Sequence, residues 1–351
     1  MGLIPPSTVD APIVYYAFGG GMGHVTRAAA ILRQLRRLGG APAVVLTNTT
    51  FPQPLQHEKI PYRHITAQAT DELTQQLRQH LTDLTPRAVI VDVFADGIIG
   101  DLSSILPTLP CPKVLITRHV RASHQQNRAR AAACYDLIIM TEDVTPFAQV
   151  RSCSCEPILI RSAGELFTRE AAREVLGVDD DAPIVLAVST GSVAWEDDFF
   201  RLLQKIRQRK HLRAHLRVAS PRASATEYAV THYPIVELFP GVDVVVGAGG
   251  YNLFHEVLAS GVQGIFLPQH RRIDDQTWRT QGARVAQSPE ELAMLLEQAV
   301  HATPTIPREL PCYANGAETA AREIANLLNL LPQCSCHCAH SVPIAAPCSR
   351  P

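Results

Sequence analysis

The sequence predicts an α/β protein built from two doubly wound parallel sheets that face each other across a cleft, and three observations predict it. At 351 residues the chain exceeds the usual size of one hydrophobic core, so two domains are expected. Short β-rich runs alternate with amphipathic helical patterns in two successive series, and the runs are near-continuously apolar, as strands covered on both faces are. Glycine-rich turns join strand to helix in both series. In sheets of this kind ligands bind beyond the carboxyl ends of the strands, so a site between the domains is expected.

The first series opens with Ile13–Phe18, which leads into the turn Gly19-Gly-Gly-Met-Gly-His24-Val-Thr-Arg27. The helix after it carries Ala28, Ile31, Leu32, Leu35 and Leu38 on one face and stops at Gly39-Gly40. Runs at Ala43–Thr47, Ala88–Asp92, Lys113–Thr117 and Leu137–Met140 complete a Rossmann-like N-terminal domain over residues 12–155. Residues 156–182, with Pro157 and the acidic run Asp179-Asp-Asp181, read as the connection. The second domain, 183–331, holds Ile184–Val188, Leu216–Ala219, Ile235–Leu238, Asp243–Val246 and Gly264–Leu267. A last helix, with Ala317, Ala320, Ile324, Leu327 and Leu331 on one side, is expected to pack back across the domain boundary. Residues 332–351 form a tail with Cys334, Cys336, Cys338 and Cys348, whose spacing fits neither a paired disulfide framework nor a CxxC zinc pattern. With its prolines the tail reads as disordered.

Composition excludes several function classes. Hydrophobic content of 46% with 19% charged residues marks an ordinary folded chain, and a net charge of −1 with a pI near 6.9 offers no global field for nucleic acid or an anionic membrane. No apolar run approaches the ~20 residues of a membrane span, and the N-terminus lacks the layout of a secretory signal, so a cytoplasmic location is expected.

The most informative stretch is Gly247-Ala-Gly-Gly-Tyr-Asn-Leu-Phe-His-Glu256, followed by Gly261, Pro268 and Asp274-Asp-Gln276. Gly247, Gly249 and Gly250 let the backbone approach a ligand closely. A helix beginning near Tyr251 would turn unpaired N–H groups and its positive dipole end toward a phosphate. Leu253, Phe254, Val257 and Leu258 are expected to face the core, with Asn252, Glu256 and Ser260 on another face. An acid beside a phosphate site is unfavourable unless hydroxyl groups donate to it, which a ribose would do; alone, Glu256 reads equally as a solvated helix acid. A second turn, Val188-Ser189-Thr-Gly191-Ser192, follows a strand and offers hydroxyls and amides to a phosphate. The first turn is not a dinucleotide fingerprint, because Val44-Val-Leu-Thr-Asn48 supplies no acid at about the 20-residue spacing such a site needs. It places His24 at a helix start, where the dipole disfavours imidazolium and leaves the ring able to take a proton.

Gly23-His24-Val-Thr-Arg27 together with Gly249-Gly-Tyr-Asn-Leu-Phe-His-Glu256, Gly261, Pro268 and Asp275-Gln276 resembles the GT-B superfamily of nucleotide-sugar enzymes. Within it the motifs are most similar to the branch of the N-acetylglucosaminyltransferase that makes the peptidoglycan lipid precursor, with its family 28-like C-terminal domain, and to related predicted glycosyltransferases. By that resemblance Glu256 binds the ribose hydroxyls, Gly249 and Gly250 with the amides up to Asn252 hold the pyrophosphate, and Gln276 with Asp275 reads the donor sugar. Ser189, Gly191 and Ser192 line the phosphate side, and His24 lies on the acceptor side. The first turn departs from the family in lacking its small residue and proline further along. Val91-Asp92-Val-Phe94-Ala-Asp96-Gly97, with Arg118, His119 and Arg121, resembles the predicted-transferase group on the acceptor side.

The activity expected is therefore a metal-independent glycosyltransferase that moves a sugar from a nucleotide-diphosphate donor, UDP-linked such as UDP-N-acetylhexosamine, to a hydroxyl acceptor. The nucleotide sugar is a co-substrate, with no other cofactor and no metal. His24 or Asp96 would take the acceptor proton. A lipid-linked acceptor would bring peripheral membrane contact, and no nucleic-acid partner is expected. Two alternatives stay open: a nucleotide-sugar hydrolase of the pseudaminic-acid-pathway type, which shares a Gly-x-Gly-His-x-x-Arg turn, and a non-catalytic nucleotide-sugar-binding protein.

Overall fold

The computed structural model describes residues 11–330, apart from 20, 41, 143, 145–146, 148–149, 190–192, 209–211, 223–227 and 302–313. The first half alternates β1 (Ile13–Tyr16), α1 (Gly23–Arg37), β2 (Ala43–Thr47), α2 (Gln53–His57), β3 (Tyr62–His64), α3 (Thr70–Leu84), β4 (Ala88–Asp92), β5 (Lys113–Thr117), α4 (Ala122–Ala132), β6 (Leu137–Met140) and β7 (Ser152–Ser154). Its sheet is parallel throughout, in the order β3-β2-β1-β4-β5-β6-β7. The second half runs α5 (Arg169–Val175), β8 (Ile184–Val188), α6 (Val193–Gln208), β9 (His215–Ala219), β10 (Val244–Gly247), α7 (Tyr251–Ser260), β11 (Gln263–Phe266), α8 (Gln276–Arg279), β12 (Arg284–Val285), α9 (Pro289–His301) and α10 (Gly316–Leu327). This sheet is also parallel, in the order β12-β11-β10-β8-β9. Central strands β1, β4 and β8 are buried along their whole length, which is why their sequences read as unbroken apolar runs rather than as alternating ones.

Three expectations are corrected. Ile235–Leu238 is not a strand but the start of a 3₁₀ helix over Ile235–Gly241. Pro234 precedes it and Pro240 lies inside it, and neither has an N–H to give to a sheet ladder. Leu258 does not face the core and is 42% exposed. The first turns of α7 are enclosed between the two halves, with Tyr251, Leu253, Phe254, His255 and Glu256 all buried, and Ser260 in the last turn is buried as well. The short edge strands β3, β7 and β12 were not anticipated, being two or three residues long.

The two halves share apolar packing. Val25, Ala28, Ile31 and Leu35 of α1 belong to one buried cluster with Ala317, Ala320 and Ile324 of α10 and with Ile184 and Val245 of the second sheet. Small residues on both helices allow close approach, and each fully buried Ile or Leu contributes about 1.5–3 kcal/mol. Asn315 fastens the start of α10 to the connecting segment: Oδ1 accepts from Ala317 N and Leu159 N, and Nδ2 donates to Leu159 O at 3.0 Å. Gly316 must be glycine here, since a Cβ would lie 1.7 Å from the Glu156 carbonyl oxygen. Leu331 and the cysteine-bearing tail lie outside the described residues. Among the described residues no helix is long and apolar enough to cross a membrane.

Candidate active site

Each sheet has a point where strand order reverses, between β1 and β4 in the first and between β8 and β10 in the second. Turns leaving adjacent strands at such a point diverge to opposite faces and open a crevice. The two crevices face each other, and together they bound a cleft of about 650 Å³. Across it, Asn252 Nδ2 in the first turn of α7 donates to the Gly23 carbonyl at 3.3 Å, and the Arg27 guanidinium lies 4.8 Å from the centre of the Tyr251 ring. The two glycine turns are thus in contact.

On the N-terminal side His24 lines the cleft. Its Nδ1 is 2.5 Å from Oδ2 of Asp92, the last residue of β4. Asp92 is fully buried and also accepts from Arg27 Nε at 2.7 Å, Arg27 Nη2 at 2.8 Å and the Tyr15 hydroxyl at 3.0 Å. Burial alone would raise its pKa, but the Arg27 charge and these bonds outweigh it, so the carboxylate stays well below its usual range. Burial lowers the His24 pKa, with Asp92 opposing in part. Burial thus favours the neutral ring, with Nδ1 directed to Asp92 and Nε2 as its other nitrogen. Gly19 makes room for it, because a Cβ there would sit 2.2 Å from the imidazole. Phe94 packs on the ring with centroids 5.1 Å apart.

On the C-terminal side, β10 ends at Gly247, where a Cβ would lie 2.6 Å from the Val188 carbonyl oxygen. Gly250 is the N-cap of α7, and no side chain caps that helix. Its first N–H groups are left for a ligand at the positive end of the dipole. Gly250, Asn252, Glu256, Ser189 and Gln276 line the cleft. Gly249 does not; its carbonyl accepts from Arg279 Nη1 at 3.1 Å. Glu256 is 7% exposed, and no described residue donates a hydrogen bond to its carboxyl. Burial pushes its pKa up to about 7.

The loop after β11 departs from expectation. Asp275 does not line the cleft: it caps α8, accepting from Trp278 N at 3.2 Å. Asp274 lines it instead and is paired with Arg118 and with Arg279 Nη2 at 2.9 Å. Burial would raise the Asp274 pKa, but the two arginines hold it well below the usual range. Gln276 accepts from Gln269 N at 2.8 Å and donates to Asp274 at 3.3 Å, which ties the loop together. Asp96 is likewise displaced. Val93 adopts φ 67° and Phe94 N donates back to Asp92 O, a tight turn that leaves Asp92 beside His24 while Asp96 lies off the cleft. Gly191 and Ser192 fall outside the described residues.

Arg118, His119 and Arg121 serve as a bridge between domains. Arg118 pairs with Asp274, His119 stacks on Trp278 at 3.8 Å, and Arg121 donates from its amide to Ile273 O at 3.0 Å and from Nε to Arg271 O at 2.9 Å. Glu142, which sequence reasoning did not single out, completes the bridge with Arg279 Nε at 2.7 Å and His255 Nε2 at 3.1 Å. Burial opposes its ionisation, but the His255 hydrogen bond and the Arg279 charge hold its pKa at about 2. Asp92 was likewise passed over for Asp96; its signal was an acid closing an otherwise apolar strand.

No family model matches the chain. Over 203 residues it is 30% identical to an uncharacterized glycosyltransferase of Methanopyrus kandleri, a match covering 49% of this chain and 54% of that protein, so the chain spans about half the length of that relative. Among solved structures, MurG of Acinetobacter baumannii superimposes with a TM-score of 0.55 at 18% identity, covering 91% of this chain and 100% of that one. The chain has the GT-B fold. The spinosyn rhamnosyltransferase SpnG complexed with thymidine diphosphate shares it, with a TM-score of 0.54 at 12% identity over 92% of this chain and 97% of that one. In this GT-B chain the cleft between the sheets holds both the His24–Asp92 pair and the uncapped start of α7.

Proposed function

We propose that this GT-B chain is a glycosyltransferase that moves a sugar from a nucleotide diphosphate, uridine-linked in the first instance, to a hydroxyl acceptor. The observation that carries the reading is the contact between the two turns, which sets an acid-backed neutral imidazole beside an uncapped helix N-terminus. One supplies a base and the other a cradle for a departing diphosphate.

In the reaction, His24 Nε2 takes the proton from the acceptor hydroxyl as its oxygen bonds to the anomeric carbon of the donor. The bond from that carbon to the β-phosphate oxygen breaks, and its electron pair leaves on the diphosphate. Asp92, fixed by Arg27, holds the Nδ1 proton and stabilises the imidazolium that forms. The first amides of α7 meet the charge growing on the diphosphate. Arg271 and Arg272 line the same cleft and add cationic side chains. Metal independence is part of the proposal, since Asp274 is committed to two arginines and Asp275 to the cap of α8. Glu256 takes the ribose hydroxyls, and a buried carboxyl that has no donor among the described residues supports that role.

Incubating the protein with labelled nucleotide sugars, with and without a panel of hydroxyl acceptors and with chelator present, tests the proposal. Acceptor-dependent transfer that survives chelation is expected. Free sugar released at the same rate without any acceptor would instead identify a hydrolase.

A further inference from the structure

The start of α7 is held from the opposite domain by two consecutive residues that follow β6. The Tyr251 hydroxyl donates to Thr141 Oγ1 at 2.9 Å and accepts from Ile158 N at 2.9 Å. His255, four residues on and so on the same face of the helix, meets Glu142 Oε1 through Nε2 at 3.1 Å. The Glu142 carboxylate also accepts from His119 N at 3.0 Å, from Arg279 Nε at 2.7 Å and from Arg279 Nη2 at 3.3 Å. Its side chain is 3% exposed, and neither Glu142 nor Arg279 lines the cleft.

Arg279 carries this hold to the glycine turn. A guanidinium is a rigid plane, so fixing Nε and Nη2 on Glu142 also fixes Nη1, which donates to the Gly249 carbonyl at 3.1 Å. Gly249 directly precedes Gly250, the N-cap of a helix that no side chain caps. The turn is pressed against the residues after α8, since a Cβ on Gly249 would sit 2.5 Å from Thr280 Cγ2. Arg279 Nη2 is also 2.9 Å from Asp274 Oδ1. One guanidinium thus joins Glu142 of the first domain to the turn before α7 and the loop before α8.

We infer that Glu142 is a positioning residue for the diphosphate: from the first domain, through Arg279, it sets the Gly249-Gly250 turn so that the first amides of α7 converge on the phosphates. The inference rests on the nucleotide-sugar reading of the cleft. Uncapped amides bind an anion best when they are already in place, because a cradle that must be ordered on binding gives up part of its affinity. The charge of Glu142 works the other way, since a carboxylate behind a phosphate site repels the phosphates. Glu142→Gln keeps the shape, removes the charge, and turns an NH2 group toward donors that now find an oxygen. A Glu142 that acted only as a nearby charge would make this variant bind a diphosphate more tightly. A Glu142 that sets the cradle makes it bind more weakly, and a nucleoside without phosphates is spared.

The test is calorimetric titration of wild type, Glu142→Gln, Arg279→Lys and the double variant with UDP, TDP, GDP, ADP and CDP, followed by displacement with each matching nucleoside. Lysine keeps the charge of Arg279 but lacks the fork that reaches Glu142 and Gly249 together. The preference of wild type for a diphosphate over its nucleoside is expected to fall about tenfold in each single variant and no further in the double variant, as for residues that act in one line. If Glu142→Gln does not fold, Arg279→Lys decides alone. A variant that keeps the full preference, a Glu142→Gln chain that binds the diphosphate more tightly than wild type, or equal weakening of diphosphate and nucleoside overturns the positioning role and leaves the nucleotide reading standing. A wild type that binds no nucleoside diphosphate overturns both.

Discussion

Glu256→Gln separates a functional acid from a structural one, because it should strengthen the fold while weakening ligand binding. In the folded chain burial pushes the carboxyl up to about 7 from an ordinary 4.5, with no donor among the described residues to offset it. The folded pKa lies above the unfolded one, so the unfolded chain gives up its proton between about pH 4.5 and 7 while the folded chain keeps it. Stability therefore declines across that window and levels off above it. The full shift corresponds to about 3 kcal/mol, most of it developed between pH 5 and 8. Glutamine stays neutral throughout and escapes this penalty. Urea unfolding of both proteins at pH 5 and pH 8 should show the variant's advantage growing by about 2–3 kcal/mol, while calorimetry shows affinity for a nucleoside diphosphate falling by about 10-fold or more as the charged acceptor is lost. Parallel stability at the two pH values would refute the claim that Glu256 is held unpaired, and unchanged nucleotide affinity would refute its ribose role.

The remaining predictions concern the opposite wall and the turns. His24→Ala should lower kcat by about 10²–10⁴ with little effect on the donor dissociation constant, checked by steady-state kinetics beside calorimetry. Because burial lowers the His24 pKa from 6.5, the acidic limb of kcat/KM should fall below pH 6.5, and it should vanish in His24→Ala. Asp92→Asn should cost stability as well as rate, by about 3–5 kcal/mol in urea unfolding, since it leaves the Arg27 guanidinium buried without its counter-charge. Gly247→Ala forces a methyl against the Val188 carbonyl and should destabilise by about 1–3 kcal/mol in the same assay.

Much of this architecture was legible because the strands are buried on both faces: β2, β4, β5, β6 and β8 coincide with apolar runs at the residues expected. The run at 235–238 misled because its apolar residues are as buried in a 3₁₀ helix as in a strand, and only Pro234 and Pro240 carried the contrary signal. The two glycine turns were visible as turns, but their contact through Asn252 and Gly23 is a tertiary fact with no local trace. Two of the acids expected in the site lie off the cleft while a neighbouring acid lies closer to it, for the same reason. Asp92 rather than Asp96 meets His24 because Val93 takes a positive φ that a β-branched residue seldom adopts. Asp274 rather than Asp275 reaches the cleft because Asp275 is spent as a helix cap, and a four-residue helix leaves little periodicity to reveal it.

Calorimetric titration of nucleoside diphosphates into wild type, His24→Ala and Glu256→Ala tests the central claim most directly, since it needs no knowledge of the acceptor. One site per chain is predicted, with His24→Ala binding as wild type does and Glu256→Ala at least about tenfold weaker. Equal affinity of Glu256→Ala and wild type for every nucleotide, or no binding by any of the three, would contradict the account.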